Sequence, residues 1–474
     1  MSQTQRLRDL PAVNEVLLHV TVDELRKEHS HARVAEWTRS SIQSCRESVL
    51  AGAVASEQSL LEWIVHDIVA RKERESAKSL QSVINATGVV LHTNLGRSPL
   101  AERALDRVRM ASRYTNVELD LESGRRSKRG AHVMQLLAQL TGAEAALVVN
   151  NCAAATVLVL QATAAGREVI VSRGQLVEIG GGFRLPEVFQ SSGVRLREVG
   201  TTNRTYLRDY EAAINDQTGA IIRVHRSNFH LCGFVTEPSI DEMALIERPE
   251  DVIVIDDLGS GCINDLSEFG LHEPTVLESV RSGADVTLFS GDKLFGGPQA
   301  GILVGKERWI EKLRRNPLMR AVRVDKMTLA AMEATAELHL EGRAFTDIPT
   351  LNRIATSADV IQQRCHELKQ KLTQAERLHV VECESQVGGG SIPGSSLPSF
   401  GLQIQVTEPD RLASELRGAD SPIQGRVTDD AVLLDLRTVA DEELPAMAAA
   451  LNRILPGFAW LSGDDVRESE TGSP

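Results

Sequence analysis

Phenylalanine, tyrosine and tryptophan together make up only 4% of the 474 residues, so any large core must be aliphatic. A hydrophobic fraction of 42%, carried by Leu, Val, Ile and Ala, excludes a disordered chain and points to α/β packing in two or three domains. Cysteine is sparse. Cys45, Cys152, Cys232, Cys262, Cys365 and Cys383 lie far apart without a C-x-x-C pair, which indicates neither a zinc site nor a disulfide framework and leaves buried, inert thiols as the expectation. No run of about 18 apolar residues occurs, and residues 1–10 lack the apolar stretch of a secretory signal, so a cytosolic protein with no membrane span is expected. Positive charge is also in deficit: 52 basic against 65 acidic residues give a net −13, which argues against non-specific coating of nucleic acid. Two stretches run against that balance, residues 306–326 with a local sum of +5, and Arg125, Arg126, Lys128 and Arg129.

Residues 10–80 carry apolar positions at spacings of three and four, among them Val13, Val16, Leu17 and Val20, then Leu60, Leu61, Ile64 and Ile68. This spacing predicts a small helical N-terminal domain, with the charge run 71–75 as a linker and a boundary near residue 80. Beyond it, β-branched runs at 145–149, 168–172, 220–224, 252–255, 286–289 and 301–304 alternate with helical stretches. That rhythm predicts a large domain, 81–335, with a mainly parallel sheet, helices on both faces and ligand chemistry at the carboxyl ends of the strands. A smaller α/β domain, 336–462, is expected from strands near 378–382, 400–406 and 431–436, with Gly388–Ser396 as a loop and an acidic, disordered tail at 463–474.

The chemistry concentrates at three strand ends. Ser290-Gly291-Asp292-Lys293-Leu294-Phe295-Gly296-Gly297 follows one apolar run and precedes another, placing a lysine in a tight turn between buried strands. A buried ammonium is unfavourable unless its pKa falls or the amine is consumed in an imine, and a lysine forming a Schiff base with pyridoxal 5′-phosphate (PLP) meets both conditions. PLP also needs a carboxylate on its pyridine nitrogen. The run 252–255 ends in Asp256-Asp257, either of which fits, with Asp257 favoured because it abuts the Gly259-Ser260-Gly261 turn. The 5′-phosphate needs free amides at a helix start, for which Asn151, Cys152 and Ala153 are the candidates, with the Ser290 hydroxyl added.

Ile84-Asn85-Ala86-Thr87-Gly88-Val89-Val90-Leu91-His92-Thr93-Asn94-Leu95-Gly96-Arg97, with Asp257-Leu258-Gly259-Ser260-Gly261 and Ser290-Gly291-Asp292-Lys293, closely resembles the bacterial selenocysteine synthase family, the L-seryl-tRNA(Sec) selenium transferases. The resemblance extends from Leu10-Pro11-Ala12-Val13 through Glu178-Ile179-Gly180-Gly181-Gly182-Phe183-Arg184 to Gly425-Arg426-Val427 and Leu434-Asp435-Leu436-Arg437. It implies a PLP enzyme of the aspartate-aminotransferase fold class, a homodecamer built from dimers, that converts seryl-tRNA(Sec) to selenocysteinyl-tRNA(Sec) with selenophosphate. It also implies that the N-terminal domain recognises the tRNA. Residues 1–80 sum to −1, so recognition there would rest on shape and selected contacts. The dianionic donor calls for arginines, and Arg97, Arg320, Arg323 and Arg129 are the candidates, the apolar neighbours of Arg320 and Arg323 suggesting partial burial. His92, His225 and Asn228 are placed to touch the cofactor ring.

Three other readings stay open at this point. A lyase on the same scaffold would act on a small amino acid or amino sugar phosphate, and would not need residues 1–80. A cysteine desulfurase-like lyase would need an exposed cysteine on a loop, which the spacing of the six does not suggest. A non-catalytic tRNA-binding scaffold would not need Lys293 and Asp257.

Overall fold

The aliphatic runs form strands where the spacing puts them, and in the computed structural model residues 3–52, 59–76, 80–179, 182–428 and 430–461 are described. Met1–Ser82 and Val83–Pro474 are two compact units. In the first, α1 (Gln3–Arg8), α2 (Val13–Leu17), α3 (Val20–Glu28), α4 (His31–Leu50) and α5 (Leu60–Ser76) follow one another. The α4 helix buries Val34, Thr38, Ile42, Cys45 and Val49, one stripe at helical spacing, against Ile64 and Ile68 of α5. Arg71 of α5 reaches across to the hydroxyls of Ser41 (3.0 Å) and Ser44 (2.7 Å).

The second unit is built on a seven-stranded sheet of β1 (Ala145–Val149), β2 (Glu168–Ser172), β3 (Arg195–Val199), β4 (Thr218–Val224), β5 (Ile253–Gly259), β6 (Val286–Ser290) and β7 (Gly301–Gly305). The spatial order is β1-β7-β6-β5-β4-β2-β3, and only β7 runs against the others. Strands buried on both faces read as unbroken apolar runs, which is why β1, β2 and β4 to β7 stand out in the sequence. The edge strand β3 does not: Arg195-Leu196-Arg197-Glu198-Val199 alternates charge outward, as an exposed edge requires, and carries no apolar run to find.

A four-stranded antiparallel sheet follows, β8 (Leu378–Gln386), β9 (Ser396–Gln405), β10 (Arg426–Val427) and β11 (Ala431–Asp435), in the order β8-β9-β11-β10. The helix Lys326–Leu340 runs unbroken through residue 335, so the expected change of layer at 335–336 falls after it, because its buried face continues to Leu338 and His339. The tail at 463–474 and Gly180 and Gly181 lie outside the described residues. No helix among the described residues is long and apolar enough to cross a membrane. The expected burial of the thiols holds for Cys45, Cys262 and Cys365, whereas Cys152 and Cys383 are half-buried and Cys232 is exposed on a loop beyond the sheet.

Before entering the large sheet layer, the segment after residue 83 is stitched into the small one. Ile84 and Asn85 pair in parallel with Ile423 and Gln424, and the Asp435 amide donates to the Ala86 carbonyl at 2.9 Å. Fully buried Asp435 accepts from Ser385 Oγ (2.7 Å), Ser399 Oγ (2.8 Å) and the Arg426 guanidinium (2.9 Å). Gly88, at φ +71°, leaves room for this carboxylate: a Cβ there would stand 1.9 Å from Asp435 Oδ2. The left-handed backbone alone costs a residue with a side chain about 1–2 kcal/mol. Gly88→Ala is therefore expected to lower stability by more than that amount in chemical denaturation, while Gly96→Ala, at positive φ in open space, should show only the backbone part.

Candidate active site

Strand β6 delivers Ser290 to the carboxyl edge of the sheet, and the chain turns through residues 291–300 before β7 returns beside it. The turn is cross-braced: Gly291 N–H donates to Ala300 O (2.8 Å), Gly297 N–H to Gly291 O (2.8 Å) and Leu294 N–H to Ser260 O (2.9 Å). Gly261, at φ +71°, lets the neighbouring turn pass close, since a Cβ there would meet Ser290 O at 2.5 Å. Lys293 is held by this frame at 5% exposure, and its Nζ donates to the Gly390 carbonyl at 3.3 Å. Burial pushes its pKa down, toward a neutral amine.

Successive side chains on a strand point to opposite faces, and this separates the two aspartates at the end of β5. Asp256, fully buried, accepts two bonds from Arg223 (2.8 and 2.7 Å) and one from Ser279 Oγ (2.5 Å), so its charge is already matched. Asp257 faces the Lys293 side. Its oxygens lie 3.9 Å from Cys152 Sγ and 3.4 Å from Thr156 Oγ1, and burial pushes its carboxyl up to about 7, with Lys293 pulling the other way.

Opposite them begins α6 (Cys152–Ala164). Asn151 caps it, its side chain accepting from Ala154 N–H at 2.8 Å while its carbonyl takes Ala155 N–H, which leaves the Cys152 and Ala153 amides at the helix start for a ligand. One cavity of about 430 Å³ gathers Lys293, Asp257, Asn151, Cys152, Ala153 and Ser290. Arg97 also borders it, at φ 63°, paired with Asp292 at 2.8 Å.

Arg129, Arg320 and Arg323 stand elsewhere. They line a second cavity of about 730 Å³ together with Arg126 and Arg314. The two cavities flank the same strand end, since Arg323 pairs with Val149 and the Asn150 amide donates to Val322 O. Arg320 and Arg323 are exposed, against the expectation of partial burial: in the short helix Met319–Val322 it is Met319 and Val322 that pack on the core, which turns the arginines out. Arg129 donates to Val324 O at 2.9 Å. His225 follows Val224, which packs on the α6 side with Asp257, so its ring lies on the other face and pairs with Glu273 at 3.3 Å. His92 is absent from the cavity lining, and Asn228 donates to Glu178 O at 2.7 Å.

Thr156, Asp292, Gln299 and Gly390 join the Lys293 surroundings without having been singled out in the sequence. Thr156 had a signal, its position four residues and one helical turn after Cys152. Gly390 had none, being one glycine in a loop that only the fold carries to Lys293.

These residues fit PLP. Asp257 is a desolvated carboxyl whose charge is under-compensated, so a protonated pyridine nitrogen would supply the missing partner, and the free α6 amides with Ser290 form an anion cradle. Residues 83–440 match the family model described as L-seryl-tRNA selenium transferase, and residues 7–46 match that described as selenocysteine synthase N terminal. The chain belongs to the L-seryl-tRNA selenium transferase family. Within the family, it is 46% identical over 455 residues to the L-seryl-tRNA(Sec) selenium transferase of Geobacter sulfurreducens, covering 94% of this chain and 98% of that one. The relative of the same name from Alkaliphilus metalliredigens is 44% identical over 465 residues, covering 96% and 100%. Among solved structures, D-glucosaminate-6-phosphate ammonia-lyase shares the fold at 21% identity and a TM-score of 0.56, over 81% of this chain and 98% of that one.

The raised carboxyl has a measurable consequence. Without cofactor, folded Asp257 keeps its proton to about pH 7, whereas an unfolded aspartate releases it near about 3.9. The folded state thus binds more protons in that window, and the stability contributed at this site falls as pH rises from about 4 to about 7. Denaturation of the cofactor-free protein across this range should show the decline, and Asp257→Asn should lack it; an identical slope in both would remove Asp257 as the source.

Proposed function

We propose that this chain converts seryl-tRNA(Sec) to selenocysteinyl-tRNA(Sec), using PLP held by Lys293 and selenophosphate as the selenium donor. The observation that carries the reading is the cavity in which a buried lysine, an under-compensated carboxyl and a free helix start meet, in a chain that matches the family along nearly its whole length. When bound, PLP supplies an electron sink that makes the seryl Cα proton removable. Asp257 would hold the ring nitrogen, the Cys152 and Ala153 amides with Ser290 would hold the phosphate, and Asn151 fixes the helix start that presents those amides. Lys293, whose pKa burial lowers when the amine is free, would take the proton from Cα. The overall change is loss of the β-hydroxyl as water and entry of selenium at Cβ, with the P–Se bond of selenophosphate cleaved by water to release phosphate.

Arg97 is the cation assigned to the donor within one protomer's cavity. Arg320, Arg323 and Arg129 would serve it from a neighbouring subunit, consistent with a homodecamer built from dimers. Residues 1–80 would recognise the tRNA, 81–335 would form the cofactor domain and 336–462 the small domain, in a cytoplasmic enzyme. The helical first unit favours a tRNA substrate over a small amino sugar phosphate, which would not need it.

Purified wild type should show a visible absorbance band abolished by borohydride, and should form selenocysteinyl-tRNA(Sec) from seryl-tRNA(Sec) and selenophosphate. Lys293→Ala should lose the band and at least about 10²-fold of the rate. A band without transfer would keep the cofactor and reject the substrate; no band in the wild type would reject both.

A further inference from the structure

The loop after β4 starts close to Lys293 and farther along puts apolar rings into solvent. Phe234 is 81% exposed and Phe229 36%, in a chain with few aromatics. The loop is anchored at its inner end, where Asn228 Cβ lies 3.6 Å from the position a Cβ on Gly390 would take and Lys293 Nζ lies 3.8 Å from that same point. It is anchored at its outer end too. Thr205 N–H donates to Thr236 O (2.9 Å), Thr236 N–H to Asn203 O (3.0 Å) and Asn203 Nδ2 to Phe234 O (2.6 Å). Phe234 is therefore held in water by a braced backbone, which a hydrophobic ring gains nothing from unless something covers it.

The segment braced against this loop is cationic and aromatic in alternation. The Arg204 guanidinium lies 5.5 Å from the Phe234 ring centre, and Arg208 lies 4.7 Å from that of Tyr206, which is 37% exposed. Among the described residues neither arginine is ion-paired, whereas neighbouring Arg226 is bound to Glu237 at 2.5 Å. Exposed rings with unpaired guanidinium groups over them are the surface that single-stranded nucleic acid uses, bases stacking on the rings and phosphates meeting the cations.

We propose that Phe234 and Phe229, with Arg204 and Arg208, form a stacking lip that receives the unpaired 3′ end of the acceptor strand and feeds the seryl group past Asn228 to Lys293. This rests on the aminoacyl-tRNA reading above. An acceptor end must reach a buried amine, and this lip is an exposed aromatic and cationic edge joined by one loop to Asn228, near Lys293. The occupant is a nucleobase, not a second copy of the chain.

The test uses full-length holoenzyme and tRNA(Sec) carrying 2-aminopurine in place of the 3′-terminal adenine. Wild type should quench the fluorophore on binding, Phe234→Tyr should retain the quench, and Phe234→Ala with Phe229→Ala should lose it. In turnover, the alanine pair should raise KM for seryl-tRNA(Sec) about tenfold or more, roughly 1.4 kcal/mol, with kcat and the borohydride-sensitive band unchanged. Arg204→Gln should weaken binding and flatten its salt dependence. Quenching and KM equal to wild type in the alanine pair would overturn the proposal, as would a changed oligomeric mass, which would make the rings a subunit contact. If wild type quenches the fluorophore but transfers no selenium, the lip stands and the reaction assigned above falls.

Discussion

The desolvation of Lys293 and Asp257 in one cavity is the constraint around which the rest is arranged. Each is buried without a full complement of partners, and burial drives both toward their neutral forms. Groups left in that state cluster at sites where a ligand completes them. The contrast lies one residue away, where Asp256 is buried still more deeply yet matched by Arg223 and Ser279. One aspartate is structural and its neighbour is left in need of a cation, and strand alternation alone divides the roles.

Holding that pair in place takes both layers of the second unit. The Lys293 turn is braced by the large sheet, but the carbonyl that meets Nζ belongs to Gly390, on the loop joining the first two strands of the small sheet. The segment that supplies Arg97 passes first through the Asp435 hub, where Gly88 has no room for a side chain. Precision at the amine thus depends on polar contacts distant in sequence, Lys293 and Gly390 being 97 residues apart and Ser385 and Asp435 50, and a loosened hub would be felt at the cavity.

Much of this was legible in the residues because it follows from local rules. The apolar runs mark six of the seven main strands, the lysine turn between two of them marks the buried amine of the cavity, and Asn151 before small residues marks a helix start. What was missed needed the third dimension. Gly390 is brought to Lys293 only by the fold, and β3 is hidden because an edge strand must carry charge. Arg320 and Arg323 misled because apolar neighbours in a helix of four residues point away from them, so the company a side chain keeps in sequence says little about its own burial.

The placement of those arginines bears on how an acidic chain attracts anions at all. With a net charge of −13 the molecule as a whole repels them, but at physiological salt fields fade over about 8 Å, so local charge decides. Arg129, Arg314, Arg320 and Arg323 line one hollow, and Arg204 and Arg208 lie over the rings of Phe234 and Tyr206. The Lys293 cavity itself holds Arg97 in an ion pair with Asp292. Among the described residues, the arginines of these two groups that have no carboxylate partner, Arg204, Arg208, Arg320 and Arg323, thus all stand outside that cavity, which keeps its interior free of unpaired guanidinium charge.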